Sequence, residues 1–222
     1  MAEVFHRRFF LQGPAGRLEA TLWTQPENEP ARLSAVVCHP HPLFGGTLHN
    51  KVVYQVAKTL HRLGVPVLRF NFRGAGTSEG KHDNGRGERD DVRAAVDFLA
   101  ENFSAAQILL AGFSFGAAVG LRAGCSDARV AELVGLGLPA DKSDLTFLAS
   151  CRKPKLFVQG ARDQYGSEEN VRKLVAASPE PKQLVFVDGA DHFFAGKLDE
   201  VDDAVGEWTT QRHPELAALR SK

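Results

Sequence analysis

Three residues far apart in this 222-residue chain, Ser114, Asp163 and His192, could together turn a hydroxyl into a nucleophile. Ser114 is the centre of Gly112-Phe113-Ser114-Phe115-Gly116, a G-x-S-x-G pattern. The apolar run 107–111 precedes it directly, and the small residues 117–120 follow it. A strand that turns sharply into a helix at such a pattern holds the serine oxygen at the helix N-terminus, with glycines where a Cβ would collide with neighbouring chain. A serine hydroxyl is too weakly acidic to attack a carbonyl at neutral pH. An imidazole must take its proton, and a carboxylate must hold that imidazole in the right tautomer. Asp163 follows the apolar segment 155–160, and His192 lies in the polar turn 188–194 after the apolar segment 183–187. Each thus sits just past a strand, in the order nucleophile, acid, histidine. Asp188 and Asp191 are nearer His192 but share its own turn, so they read as a turn-former and a cap.

Acyl transfer also needs donors for the developing oxyanion. The usual pair is the N–H after the nucleophile and one from a loop after an earlier strand. Phe115 supplies the first. The second is sought in Cys38-His39-Pro40-His41-Pro42-Leu43-Phe44-Gly45-Gly46-Thr47, which follows the apolar residues 34–37. Pro40 and Pro42 carry no N–H, which leaves His41 or Leu43. His41 is favoured because it follows His39-Pro40 as the usual donor follows an H-G pair. His39, His41 and His49 share this region, and imidazole is a common zinc ligand. No C-x-x-C or H-E-x-x-H spacing accompanies them, so neither a metal nor a cofactor is expected.

These segments carry a family resemblance. The G-x-S-x-G elbow, the H-P-H-P-x-x-G-G run from His39 to Gly46, and Arg69-Phe70-Asn71-Phe72-Arg73-Gly74-Ala75-Gly76-Thr77-Ser78-Glu79-Gly80 together resemble the small, lid-less serine hydrolases of the α/β-hydrolase superfamily. The resemblance covers nearly the whole chain and implies carboxylic-ester hydrolysis. The 69–80 stretch holds G-x-G but lacks both the further glycine of a dinucleotide fingerprint and the G-K-[ST] of a phosphate loop.

The elements that must position these residues read as alternating strands and helices, hence α/β. The expected architecture is an α/β-hydrolase fold: a mostly parallel twisted sheet of about eight strands, helices on both faces, and minimal or no lid. Strands are expected at 5–11, 18–24, 35–38, 65–70, 107–112, 130–137, 156–159 and 183–187, and helices at 49–62, 90–103, 115–123, 167–177 and 199–211. Residues 26–30 read as a loop, and the tail after Pro214 as loosely held. The interval 139–155 has room only for a short helix near 142–150, which leaves an open cleft. Its expected walls are Phe44, Phe147 and Phe193, with Phe115, Leu138 and Phe194, and they suit apolar acyl groups. The glycine-rich loop 79–87 reads either as a segment that moves over the site or as a disordered turn.

At this length one domain over 1–222 is expected. Lysines plus arginines equal acidic residues at 27 each, which argues against a nucleic-acid or membrane partner. The expected partner is a small-molecule ester, with the oligomeric state open and a homodimer among the options. The charged N-terminus lacks a signal-peptide core, and a cytoplasmic protein is expected. Cys38, Cys125 and Cys151, odd in number and unrelated in spacing, read as reduced thiols. The same three catalytic residues would also serve a thioesterase or peptidase, and the fold alone would also suit a non-catalytic binding protein.

Overall fold

Strands covered on both faces are buried and mainly apolar along their length, as three segments of this chain are. Every residue of Leu33–Cys38 and Lys155–Gly160 is buried, and in Gln107–Phe113 only Gln107 is exposed. These are β3, β7 and β5 of a computed structural model that describes residues 5–25 and 31–217. The other strands are β1 (Phe5–Gly13), β2 (Gly16–Thr24), β4 (Val67–Phe70), β6 (Val130–Leu136) and β8 (Lys182–Val187). All eight form one sheet in the order β1-β2-β4-β3-β5-β6-β7-β8. The β1–β2 and β2–β4 pairings are antiparallel, and every pairing from β4 to β8 is parallel. The expected α/β-hydrolase sheet is therefore observed.

The helices are α1 (Lys51–Arg62), α2 (Arg86–Asn102), α3 (Phe115–Ser126), α4 (Glu168–Ala177), α5 (Leu198–Arg212) and the short α6 (Pro214–Ala217). They divide between two apolar cores, one on each face of the sheet. Ile108 and Leu110 of β5 join Val92, Val96 and Leu99 of α2 and Leu121 of α3. Leu109, Ala111 and Phe113, the alternate residues of the same strand, join Val53, Val56 and Leu60 of α1 and Val201 and Val205 of α5. The period-two alternation of the strand thus feeds both layers. Because parallel strands point one way, the ends of β3, β5, β7 and β8, and so the segments after them, lie along one edge of the sheet.

Three expectations change here. First, α2 begins at Arg86, before the expected 90, because Glu88 is wholly buried and accepts the backbone N–H groups of Asp83 and Gly85, each at 2.8 Å. The loop 79–87 is therefore pinned rather than a free lid or a disordered turn. Glu79 pairs with Arg17 at 3.0 Å, and His82 Nδ1 lies 2.8 Å from Glu88 Oε1. Second, the interval 139–155 contains only the 3-10 turn Thr146–Ser150. Third, Cys125 and Cys151 form a disulfide, with their Cα atoms 5.5 Å apart, so two of the three cysteines are not reduced thiols. The end of α3 and the end of the 3-10 turn meet across α3's flank, a tertiary approach that spacing alone does not encode. Cys38 is a free, buried thiol. The expected loop 26–30 and the tail beyond 217 lie outside the described residues.

Candidate active site

The sharp turn from β5 into α3 puts Ser114 at φ 55°, ψ −118°, a conformation that costs a non-glycine residue about 1–3 kcal/mol. The turn is held because the Ser114 N–H donates to the Leu136 carbonyl at 2.9 Å. Both flanking glycines are needed for it. A Cβ on Gly112 would overlap the Gly116 carbonyl, and one on Gly116 would overlap the carbonyl of His39. The small residues noted in the sequence thus let the helix start pack directly on the end of β3.

His192 reaches this serine from the segment after β8. Its Nε2 lies 2.9 Å from Ser114 Oγ, and its Nδ1 lies 2.8 Å from Asp163 Oδ2. The ring is 3% exposed, with Phe113 at its back, ring centroids 5.1 Å apart. The histidine turn is tied by Asp191, whose Oδ1 accepts the N–H groups of Phe193 (3.0 Å) and Ala195 (3.1 Å). Buried Phe194 takes the left-handed φ of 52° that completes the turn. Asp191 is thus the cap expected, not a rival acid.

Asp163 Oδ1 accepts the N–H groups of Tyr165 (2.8 Å) and Gly166 (3.2 Å), and Oδ2 accepts Gln159 Nε2 at 2.8 Å as well as facing the histidine. The carboxylate is buried but fully hydrogen-bonded, the condition under which burial of a charge is tolerable. A base held by a carboxylate and placed on a hydroxyl is an arrangement for nucleophilic catalysis.

The loop after β3 is fixed by His39. Its Nδ1 lies 2.6 Å from the Pro40 carbonyl, and its Nε2 accepts the Phe72 N–H at 2.9 Å. That pattern requires the neutral tautomer, and burial pushes the His39 pKa down to about 4. Pro42–Phe44 forms a 3-10 turn in which the Leu43 N–H donates to His41 Nδ1 at 3.3 Å. The His41 backbone N–H has no partner among the described residues. At the start of α3, the Phe115 N–H is likewise unpaired among the described residues. The His41 ring lies 4.7 Å from that of Phe115. Burial, and then the neighbouring His82, lower the His41 pKa.

The alpha/beta hydrolase domain family matches residues 35–211. The chain belongs to the alpha/beta hydrolase family. RP471 of Rickettsia prowazekii is 37% identical to this hydrolase over 210 residues, covering 90% of this chain and 87% of the relative. An alpha-beta serine hydrolase homologue from Coxiella burnetii is 38% identical with a TM-score of 0.85, covering 90% of this chain and 96% of that one. XC6422 from Xanthomonas campestris, described as a serine hydrolase without a lid, is 34% identical with a TM-score of 0.83, covering 93% and 94%.

The surroundings of the hydrolase site correct part of the expected pocket. Phe44 and Phe193 are 86% and 52% exposed, and flank the site beside the His41 and His192 rings respectively. Phe147 does not join them. It packs on the core under α3, with the Arg122 guanidinium 4.5 Å above its ring, because the 3-10 turn carries it down the helix flank. Leu138 and Phe194 are wholly buried. Two neighbours escaped sequence reasoning: Tyr165, whose ring is 4.6 Å from His192, and His82, 5.5 Å from Phe115. A third is Gln159, a polar residue in an otherwise apolar strand. That isolated amide was the available signal. Its Oε1 accepts the Leu138 N–H at 2.7 Å, while its Nε2 faces Asp163 and the Gly166 carbonyl. His49 is exposed and apart from His39, and among the described residues no cluster of three His, Cys, Asp or Glu side chains could hold a metal. Among the same residues, no helix is long and apolar enough to cross a membrane.

Proposed function

We propose that this protein hydrolyses carboxylic esters through an acyl-enzyme, as a single domain over 1–222. The observation that carries the reading is the unbroken contact from Asp163 through His192 to Ser114, at 2.8 and 2.9 Å. Ser114 Oγ bonds to the ester carbonyl carbon as its proton passes to His192 Nε2. Asp163 holds the Nδ1–H and stabilises the imidazolium. The N–H groups of Phe115 and His41 receive the oxyanion. His41 is preferred over Leu43 because the Leu43 N–H is already given to the His41 ring. His192 then protonates the departing alkoxide and the C–O bond breaks. A water, deprotonated by the same nitrogen, attacks the acyl carbon and releases the acid and free Ser114. The exposed rings of Phe44 and Phe193 favour apolar acyl groups in an open cleft.

The test is a kinetic panel of p-nitrophenyl acetate, butyrate and octanoate beside the matching thioesters and anilides. Esters are expected to turn over fastest. Ser114→Ala and His192→Ala should each lose at least about a thousandfold in kcat. Faster thioester or anilide turnover would make the enzyme a thioesterase or peptidase working through the same residues. No turnover of any substrate by folded protein would leave only a binding role for the fold.

A further inference from the structure

A buried arginine stands away from the catalytic residues without a counter-ion. Arg69 of β4 is 3% exposed, and among the described residues no carboxylate pairs with it. Its Nη1 donates to the Leu48 carbonyl at 2.8 Å, while its Nε is buried with no partner. The guanidinium carbon lies 4.1 Å from the Trp23 ring centroid and 5.3 Å from that of Tyr54. The aromatic faces and one carbonyl account for part of this cation's stabilisation, but they leave the Nε edge unmet. An unpaired buried donor on a charged group is costly.

This arginine lines a groove of about 500 Å³ between the β1–β2 hairpin and the start of α1. Arg8, His6 and His49 face the same groove, and Glu19 is the one acidic residue on its wall. Glu19 Oε2 is already engaged by Asn71 Nδ2 (2.7 Å) and the Thr77 N–H (2.9 Å). Burial first, and then Arg69 and Arg8, lower the His6 pKa. The exposed His6 ring stacks on buried Trp23 at 4.5 Å and gives the groove a flat aromatic floor. We propose that this groove is a second ligand site, one that binds a small carboxylate with an aromatic or otherwise flat apolar body. The carboxylate would bridge the Arg69 fork, and the body would lie on the outer face of the His6–Trp23 stack. A planar guanidinium matches a carboxylate bidentately, and a flat body suits the aromatic floor better than a bare, strongly hydrated anion would.

The chain has two tryptophans, and only Trp23 lines the groove. The test is a titration of the full-length, ¹⁵N-labelled protein with sodium benzoate, following the two indole N–H cross-peaks assigned by Trp208→Phe. The Trp23 peak should move saturably and the Trp208 peak should stay. Benzamide, and sodium chloride at equal ionic strength, should leave both in place. Arg69→Lys should weaken benzoate about tenfold, because it keeps the charge and loses the fork. Exposed Arg8→Ala should weaken it about threefold, and carries the test alone if Arg69→Lys loses its fold. A Trp23 peak that ignores benzoate, that moves equally with benzamide or chloride, or that answers inorganic phosphate and not benzoate overturns the proposal. So does unchanged affinity in the folded variants. None of these readouts depends on Ser114.

Discussion

Methionine at position 159 would match the length of glutamine but carry no amide, and it isolates what holds the acid of this site. Gln159→Met removes the donor to Asp163 Oδ2 at 2.8 Å and leaves the buried Leu138 N–H without its acceptor at 2.7 Å. Losing a hydrogen bond to a charged group costs about 1.5–3 kcal/mol, and stranding a buried N–H about 1–3 kcal/mol. Together they suggest about 4 kcal/mol, with the new apolar contacts of methionine offsetting little. In a domain of this size that lowers Tm by about 8–16 °C. Two backbone donors, Tyr165 and Gly166, still hold Oδ1, so the carboxylate remains but with more freedom about its Oδ2. The His192 ring follows it, and a misplacement of that kind costs about 10- to 100-fold in kcat. KM should hardly change, since Gln159 is wholly buried and cannot touch substrate. Thermal melting by circular dichroism and ester kinetics well below the new Tm provide both readouts. An unchanged Tm would refute the bond accounting. A lowered Tm with unchanged kcat would make Gln159 structural only.

Two further expectations follow from features away from the serine. Glu132 of β6 is 2% exposed, accepts Arg212 Nε at 2.6 Å and lies 3.1 Å from His213 Nε2, tying down the end of α5. The bond to Glu132 holds His213 above its ordinary 6.5, so this stabilisation is full below that pH and fades as pH rises through the folded-state value. Glu132 is penalised by burial, yet bonds from His213 and Arg212 keep it below its ordinary 4.5, so its share is present above 4.5 and lost on acidification. The Tm advantage of the wild type over Glu132→Gln should therefore shrink as pH rises from 6 to 9. Parallel Tm profiles of the two proteins would exclude the pair as a source of pH dependence. The Cys125–Cys151 bridge closes a 26-residue separation and should contribute about 3.5 kcal/mol. Alkylation of the denatured protein should label Cys38 alone without reductant and all three cysteines with it. A bridge found in the native protein would suit an oxidising compartment better than the cytoplasm; full labelling without reductant would show that it does not form.

What was legible in the sequence is what the backbone enforces locally. Ser114, Asp163 and His192 could be read because each sits at a strand end and because the glycines around Ser114 are demanded by the turn itself. The strands were legible for the same reason, since burial on both faces leaves continuous apolar runs such as 33–38. Features that depend on which distant segments meet were not. Gln159 looks like an ordinary polar residue until Asp163, Leu138 and Gly166 converge on it. Nothing in the sequence around Glu88 and Asp91 marks them as interior, yet both are wholly buried: one caps α2, and the other grips Arg73 Nη2 at 2.7 Å. Glu88, together with the Glu79–Arg17 pair, turns the glycine-rich loop into fixed structure. Phe147 failed as a pocket residue because the turn that carries it runs down α3 rather than across the cleft. Cys125 and Cys151 failed as free thiols for a similar reason: helix and turn meet only in three dimensions.

The most direct measurement is labelling of the folded protein with a fluorophosphonate probe, with the adduct mapped by peptide mass spectrometry. An activated Ser114 should carry the single adduct, and both Ser114→Ala and His192→Ala should abolish it while keeping the native circular dichroism spectrum. Absence of an adduct on well-folded wild type, or equal labelling in His192→Ala, would contradict the assignment of Ser114 as a nucleophile primed by His192.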